Sequence, residues 1–434
     1  MVIDASSLTR RFVAGALGLA LAWAAPMTGA ADRPPAADPQ LADLLGEAVA
    51  NNPELAAARS ERDAARQRVA PSGALDDPML EFGVVNVPVD SWSLNREDMT
   101  MKMLGLIQKV PFPGKRDLRR AVATADADSL DLAVQENTNR LVRDVRLAYE
   151  ELAFNAEAQR ILARTRTALE QLVAIARSRY DVGQATQSDV LDAQTELERL
   201  RVEQLRLTRE NSVQQSELRR LLGRSDATAP IDVSASQLAP GPRTDFDPAG
   251  LTVENRPQLL ALQTLVERSA RSIDLAEREY YPDFDLRLQY GQRDRASDGM
   301  QRDDMVTLTV AVNLPIWRKT RLEPQVAEAR AMRSQAQSML AAQRLETHAA
   351  INEQLALASQ SRQTAELYEH TLLPQVRASV TSALAAYRVG SVDFLTLRQA
   401  QLREFEVSTE LAEAIANHNK AVAEIDLLVG RSVP

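Results

Sequence analysis

The 434-residue chain has no cysteine, only three histidines, and aromatic side chains at just 4%. Without cysteine there is no disulfide framework, and no acylated N-terminal cysteine by which lipid could tether the protein. Few aromatics in so long a chain argue against a compact aromatic-cored enzyme. His348, His370 and His418 are scattered, and no HExxH, GxSxG, P-loop or Cys–His set accompanies them. No catalytic residue, cofactor or metal ligand is therefore assigned. His418 lies in the stripe Leu411, Ile415, His418, Val422, Ile425, the setting of a packed histidine rather than a ligand. Beyond the N-terminus no apolar run reaches the ~18 residues of a membrane-spanning helix. The net charge of −9 leaves no basic footprint for nucleic acid.

What the chain does have begins with an export signal. Arg10 and Arg11 precede an apolar run over residues 12–25, followed by Thr28, Gly29 and Ala30, the order of a cleaved secretory segment. Residues 1–30 are set aside as that signal, with a Sec route preferred over twin-arginine export. A polar, proline-rich leader follows to about residue 40.

The rest is written twice. Tyr180, Val182 and Gly183 recur as Tyr387, Val389 and Gly390, each set between long runs of Ala, Leu, Arg, Glu and Gln. Pro53 in NNPEL returns as Pro257 in NRPQL, Pro111 in VPFPGK as Pro315 in LPIWRK, and LLGR at Leu221 as LLVGR at Leu427. Four landmarks in one order at nearly constant offset indicate a tandem duplication. The first repeat is taken as residues 31–223, a linker rich in Pro, Ser, Asp and Ala as 224–250, and the second repeat as 251–434.

Within each repeat the hydrophobic period changes. A helix from about residue 41, broken near Pro53 with Asn51 and Asn52 as the capping residues, runs to residue 69. Residues 79–87 and 98–110 then read as one β-hairpin, and 283–290 and 304–314 as another. In the second, Phe284, Leu286, Leu288 and Tyr290 alternate with Asp285, Arg287 and Gln289, the period of a strand with one apolar and one polar face. Each run is close to the ~10 residues a tilted strand needs to cross a bilayer. Four strands cannot close a barrel, and an open sheet edge is forbidden in lipid, so a membrane reading requires strands pooled from several copies. Long helices follow over residues 115–180 and 189–222, and again over 324–387 and 392–429. Leu141, Val145, Ala148 and Leu152 give a coiled-coil seam. At 1.5 Å per residue the longer rods reach roughly 90 Å. Gly183 and Gly390 read as helix-ending glycines at the turns of two helical hairpins.

The duplicated order of helix, β-hairpin, long helix, Tyr-x-Val-Gly turn and long helix resembles the outer-membrane efflux family, the TolC-like outer membrane factors, across the whole mature chain. The resemblance implies an α+β fold made mainly of long α-helices, in which three chains build a 12-stranded β-barrel on a periplasmic α-helical barrel. It implies a homotrimer seated in outer-membrane lipid, with a periplasmic adaptor and an inner-membrane transporter of the resistance-nodulation-division type as partners. It also assigns residues. Tyr180, Val182, Gly183, Thr186, Tyr387, Val389 and Gly390 would form the tip that meets the adaptor. Family members close that tip with acidic rings after the second-repeat glycine; here those positions are Thr396 and Gln399, and the matching first-repeat positions, Asp189 and Asp192, are the remaining carboxylates. Ser188 or Asp189 is also the expected cap of the following helix. Residues 108–119, QKVPFPGKRDLR, resemble the strand-to-helix junction of heavy-metal-efflux members, which implies a metal-cation substrate. Drug efflux, type I protein secretion and an exported coiled-coil scaffold are the alternatives. Met99, Met101 and Met103 fall on one strand face, where thioethers suit Cu(I) or Ag(I) but packing is the commoner role.

Overall fold

The computed structural model describes residues 39–225, 231–233, 238 and 251–431. The signal and most of the linker lie outside them. Helix α1 (Pro39–Asn51) is interrupted at Asn52 and continues as α2 (Pro53–Ser72). Asn52 caps α2 by accepting from the Leu55 N–H at 2.9 Å, and Pro53 occupies the first helical turn, where its missing N–H costs nothing. The Asn52 amide also donates to the Leu221 carbonyl at 2.9 Å. Two landmarks far apart in sequence are thus one contact. Gly223 lies so close to Asn51 that an added Cβ would come within 2.5 Å of its carbonyl oxygen. The second repeat does the same, with Gly430 against Asn255 at 2.9 Å.

Helix α3 (Lys115–Asp181) runs unbroken for 67 residues and packs on α2, on α4 (Gln187–Leu222), on α5 (Pro257–Arg278) and on α8 (Phe394–Leu428). Its length is about 100 Å at 1.5 Å per residue. All four seam residues, Leu141, Val145, Ala148 and Leu152, are buried. Buried polar groups of α3 find partners across it: Asn155 donates to the Leu207 carbonyl, and Arg256 pairs with one carboxylate oxygen of Glu136 at 2.8 Å.

The second repeat departs from the expected single rod over 324–387. It divides into α6 (Glu323–Leu367) and α7 (Leu373–Arg388), with wide π-type turns at Arg318–Leu322 and Tyr368–Leu372. Each wide turn lies just before a proline, Pro324 and Pro374. Proline removes one backbone bond and crowds the carbonyl four residues earlier, and a widened turn relieves both. The matching stretch of α3 has no proline and stays regular.

The four strands, β1 (Met79–Val85), β2 (Met101–Val110), β3 (Phe284–Gln292) and β4 (Met305–Val312), form one antiparallel sheet in sequence order, so the two repeats share it. β1, β2 and β4 are shorter than the expected 79–87, 98–110 and 304–314, whereas β3 runs two residues past the expected end at 290. Met99 falls in the turn before β2, leaving only Met101 and Met103 on the strand. Among the described residues no helix is long and apolar enough to cross a membrane.

Candidate functional site

The sheet has two chemically distinct faces. Its register aligns Leu80, Leu106, Leu288 and Leu308 in one cross-strand row and Phe82, Leu104, Tyr290 and Val306 in the next. All eight are exposed, Phe82 to 74% and Leu308 to 71%, so this wall is apolar and uncovered. The intervening rows carry Glu81, Gly105, Gln289 and Thr307, and Ile107, Arg287 and Thr309. On that face Gln289 donates to Glu81 at 3.3 Å across Gly105, which a side chain would obstruct. An apolar wall backed by a polar one is the pattern of a strand between lipid and a water-filled lumen. β1 and β4 each keep one edge unpaired.

The sheet is pinned to the helices at residues 111–115. Lys115, 1% exposed, places its ammonium 3.0 Å from Glu279, 2.9 Å from Asp283 and 3.0 Å from the Tyr281 carbonyl. Phe112 stacks on Tyr281 at 4.7 Å, and its N–H donates to Asp283 at 2.8 Å. Burial raises the Asp283 carboxyl, but the Lys115 ammonium and the Phe112 N–H more than reverse this and hold it below the usual carboxylate range. Gly114 adopts φ +89°, the left-handed bend that turns strand into helix. The VPFPGK residues thus tie the first hairpin's exit to the second hairpin's entry.

At the far end, α3 closes with a Schellman turn: Gly183 at φ +73°, its N–H bonded to Tyr180 and that of Gln184 to Arg179. The α7–α8 turn repeats it through Gly390 at φ +76°. Helix α4 is capped by Thr186 rather than by Ser188 or Asp189. Thr186 and Asp189 exchange hydrogen bonds in a capping box, because Asp189 occupies the third helical position, where a carboxylate reaches back to the cap N–H. Helix α8 is capped by Asp393, whose carboxyl accepts from the Thr396 N–H and hydroxyl and is thereby lowered.

The seven expected tip residues do not behave alike. Tyr180, Val182 and Val389 are exposed at 45%, 66% and 81%. Tyr387 is only 2% exposed, lying edge-on to Phe394 with the Arg179 guanidinium 4.6 Å above its ring. Its ring is packed between the two turns and is not at the surface. Arg179 also donates to the Tyr387 carbonyl, and to Gln184 at 3.3 Å, so it joins the two turns. Arg179 lies outside the repeated motif, since its second-repeat counterpart is Ala386. Of the four expected constriction residues, Asp189 and Thr396 are engaged in caps. Asp192 is exposed and sits 4.0 Å from Arg398 on α8, and Gln399 is exposed on the same helix.

The outer membrane efflux protein model matches residues 44–224 and 250–431. No curated protein matches the chain by sequence. Solved structures match its fold closely. A membrane protein from Pseudomonas aeruginosa aligns with TM-score 0.78 at 19% identity, over 90% of this chain and 94% of that one. VceC from Vibrio cholerae aligns at 0.74 and 18%, over 90% and 96%, and the MtrE channel from Neisseria gonorrhoeae at 0.72 and 14%, over 91% and 89%. By these matches and by its duplicated helix–hairpin–helix build, the chain belongs to the outer membrane efflux protein family.

Proposed function

We propose that this protein is the outer-membrane exit duct of a tripartite efflux system, working as a homotrimer with a periplasmic adaptor and a resistance-nodulation-division transporter. The observation that carries the trimer is the four-stranded sheet with an uncovered apolar face and free edges on β1 and β4. In lipid those edges must pair, and pairing β4 of one copy with β1 of the next closes a ring of 12 strands. The adaptor meets the exposed part of the tip, Tyr180, Val182, Gly183, Thr186, Val389 and Gly390, while Asp192 and Gln399 line the periplasmic constriction. Mass measurement by light scattering in detergent should give a trimer that dissociates only on heating. A stable monomer would overturn this reading.

The substrate class we assign is heavy-metal cations, supported by the resemblance of the VPFPGKR junction to metal-efflux members. Deleting the gene should sensitise the host to transition-metal ions more than to lipophilic drugs. Sensitisation to drugs with unchanged metal tolerance would transfer the duct to drug efflux.

A further inference from the structure

Methionine is concentrated in one part of this chain. Of ten methionines, Met79, Met99, Met101, Met103, Met300 and Met305 all fall within the strands or the loops joining them. Apart from Met79, these gather at the end of the sheet where those loops lie, remote from the helices. Met101, Met103 and Met305 do not contribute to the apolar wall. The register sets Met103, Gly291 and Met305 in one cross-strand row on the polar face, with Met101 two residues from Met103 on the same side.

Gly291 is what lets them meet. A Cβ built there would come within 2.5 Å of the Met101 sulfur and 3.3 Å of the Met103 sulfur, so both thioethers fold over the vacant position. Met305 flanks Gly291 from β4 as Met103 does from β2. Two thioethers thus border one residue that has no side chain, and a third methionine stands beside it in the register. Glu81, Gln289 and Thr307 on the same face are polar, and Val85 is the cross-strand partner of Met101, so the methionines stand where a mainly polar wall meets one apolar side chain.

We propose that Met101, Met103 and Met305 form a binding site for a soft monovalent cation, Cu(I) or Ag(I), on the inner wall of the barrel near its outer mouth. Thioether sulfur is a neutral, polarisable ligand that prefers soft d10 ions over Mg(II), Ca(II) or Zn(II). Because it carries no proton, binding releases none and is independent of pH near neutrality. Among the described residues no group of three His, Cys, Asp or Glu side chains offers a site for a harder ion. Neutral sulfur also holds the ion less tightly than thiolate would, and a passage site must release what it binds. The assignment rests on the duct reading and narrows its substrate from metal cations to soft monovalent ones.

Silver nitrate in chloride-free buffer is the probe. Full-length protein in detergent, wild type and the variant Met101→Leu/Met103→Leu/Met305→Leu, is dialysed to equilibrium against it and the bound metal measured. Leucine keeps the side-chain volume, and recovery of the unheated detergent oligomer checks the fold. Wild type should retain Ag(I) in excess of the triple variant, with affinity at that site falling at least about tenfold on substitution. Met332→Leu/Met339→Leu, which alters the methionines of α6, should bind like wild type, and excess Zn(II) should displace nothing. Gly291→Ala, which pushes the Met101 sulfur aside, should weaken binding on its own. Equal Ag(I) binding by wild type and triple variant overturns the site. In cells the two readings separate. If deletion leaves silver tolerance unchanged while the purified protein binds at this site, the metal-duct reading fails and the site stands. If deletion sensitises and the triple variant restores full tolerance with undiminished binding, the duct stands and the site fails.

Discussion

Gly390 and Gly183 share a positive φ but not a neighbourhood. A Cβ at Gly183 meets nothing within 4 Å, whereas one at Gly390 comes 3.4 Å from the Arg179 guanidinium that joins the two turns. A β-branched residue at either position pays roughly 1–2 kcal/mol for left-handed backbone. Set against buried seams that run the length of α3, that cost leaves the trimer folded. Gly390→Val should therefore keep oligomer in the outer membrane and lose adaptor crosslinking and efflux. Gly390→Asn, which tolerates positive φ, should retain most of both. Gly183→Val, which strains the backbone without displacing Arg179, should fall between them. Normal crosslinking in Gly390→Val would reduce the turn to a connector.

At the scale of elements, what was legible in the sequence was whatever a local rule dictates. Pro53 after Asn52, the glycines of the two tips, the seam of α3 and the alternation in β3 and β4 each rest on periodicity or on one residue's backbone chemistry. Features that depend on partners distant in sequence are not legible in this way. Tyr180 and Tyr387 are the same letter in the same motif, yet one is exposed and the other buried, because only the first repeat supplies an arginine at position 179 to cover its partner. The cap at Thr186 follows from local chemistry, since Thr-x-x-Asp is a capping-box spacing, and could have been read. The wide turns before Pro324 and Pro374 were also accessible, because proline within a helical pattern announces a disturbance even when the helix resumes. The methionine cluster was only half visible. Met101 and Met103 stand two apart in sequence, but Met305 joins them solely through the register of β2, β3 and β4.

For the whole molecule the decisive feature is that the repeats are not two domains. Their hairpins join side by side through β2 and β3 into one sheet, and Lys115 of the first repeat is buried against Glu279 and Asp283 of the second. The sheet's two faces then have opposite tolerances, which a pair of adjacent substitutions can read. Leu288 lies on the apolar wall, 50% exposed in the single chain, and would face lipid in the proposed barrel; Gln289, the next residue, lies on the polar wall beside Glu81. Placing arginine on the lipid side near the bilayer midplane costs about 2–4 kcal/mol per chain, and a trimer incurs it three times. On the lumen side the same charge stays in water and gains a carboxylate neighbour. Leu288→Arg should sharply reduce the trimer recovered from outer-membrane fractions without heating, while Gln289→Arg should leave assembly intact and change only conduction. If both variants assemble equally well, the apolar face is not turned to lipid and the barrel assignment fails. If Gln289→Arg is the one that fails to assemble, the faces are reversed, and the methionines of the odd-numbered rows would face lipid instead of the lumen.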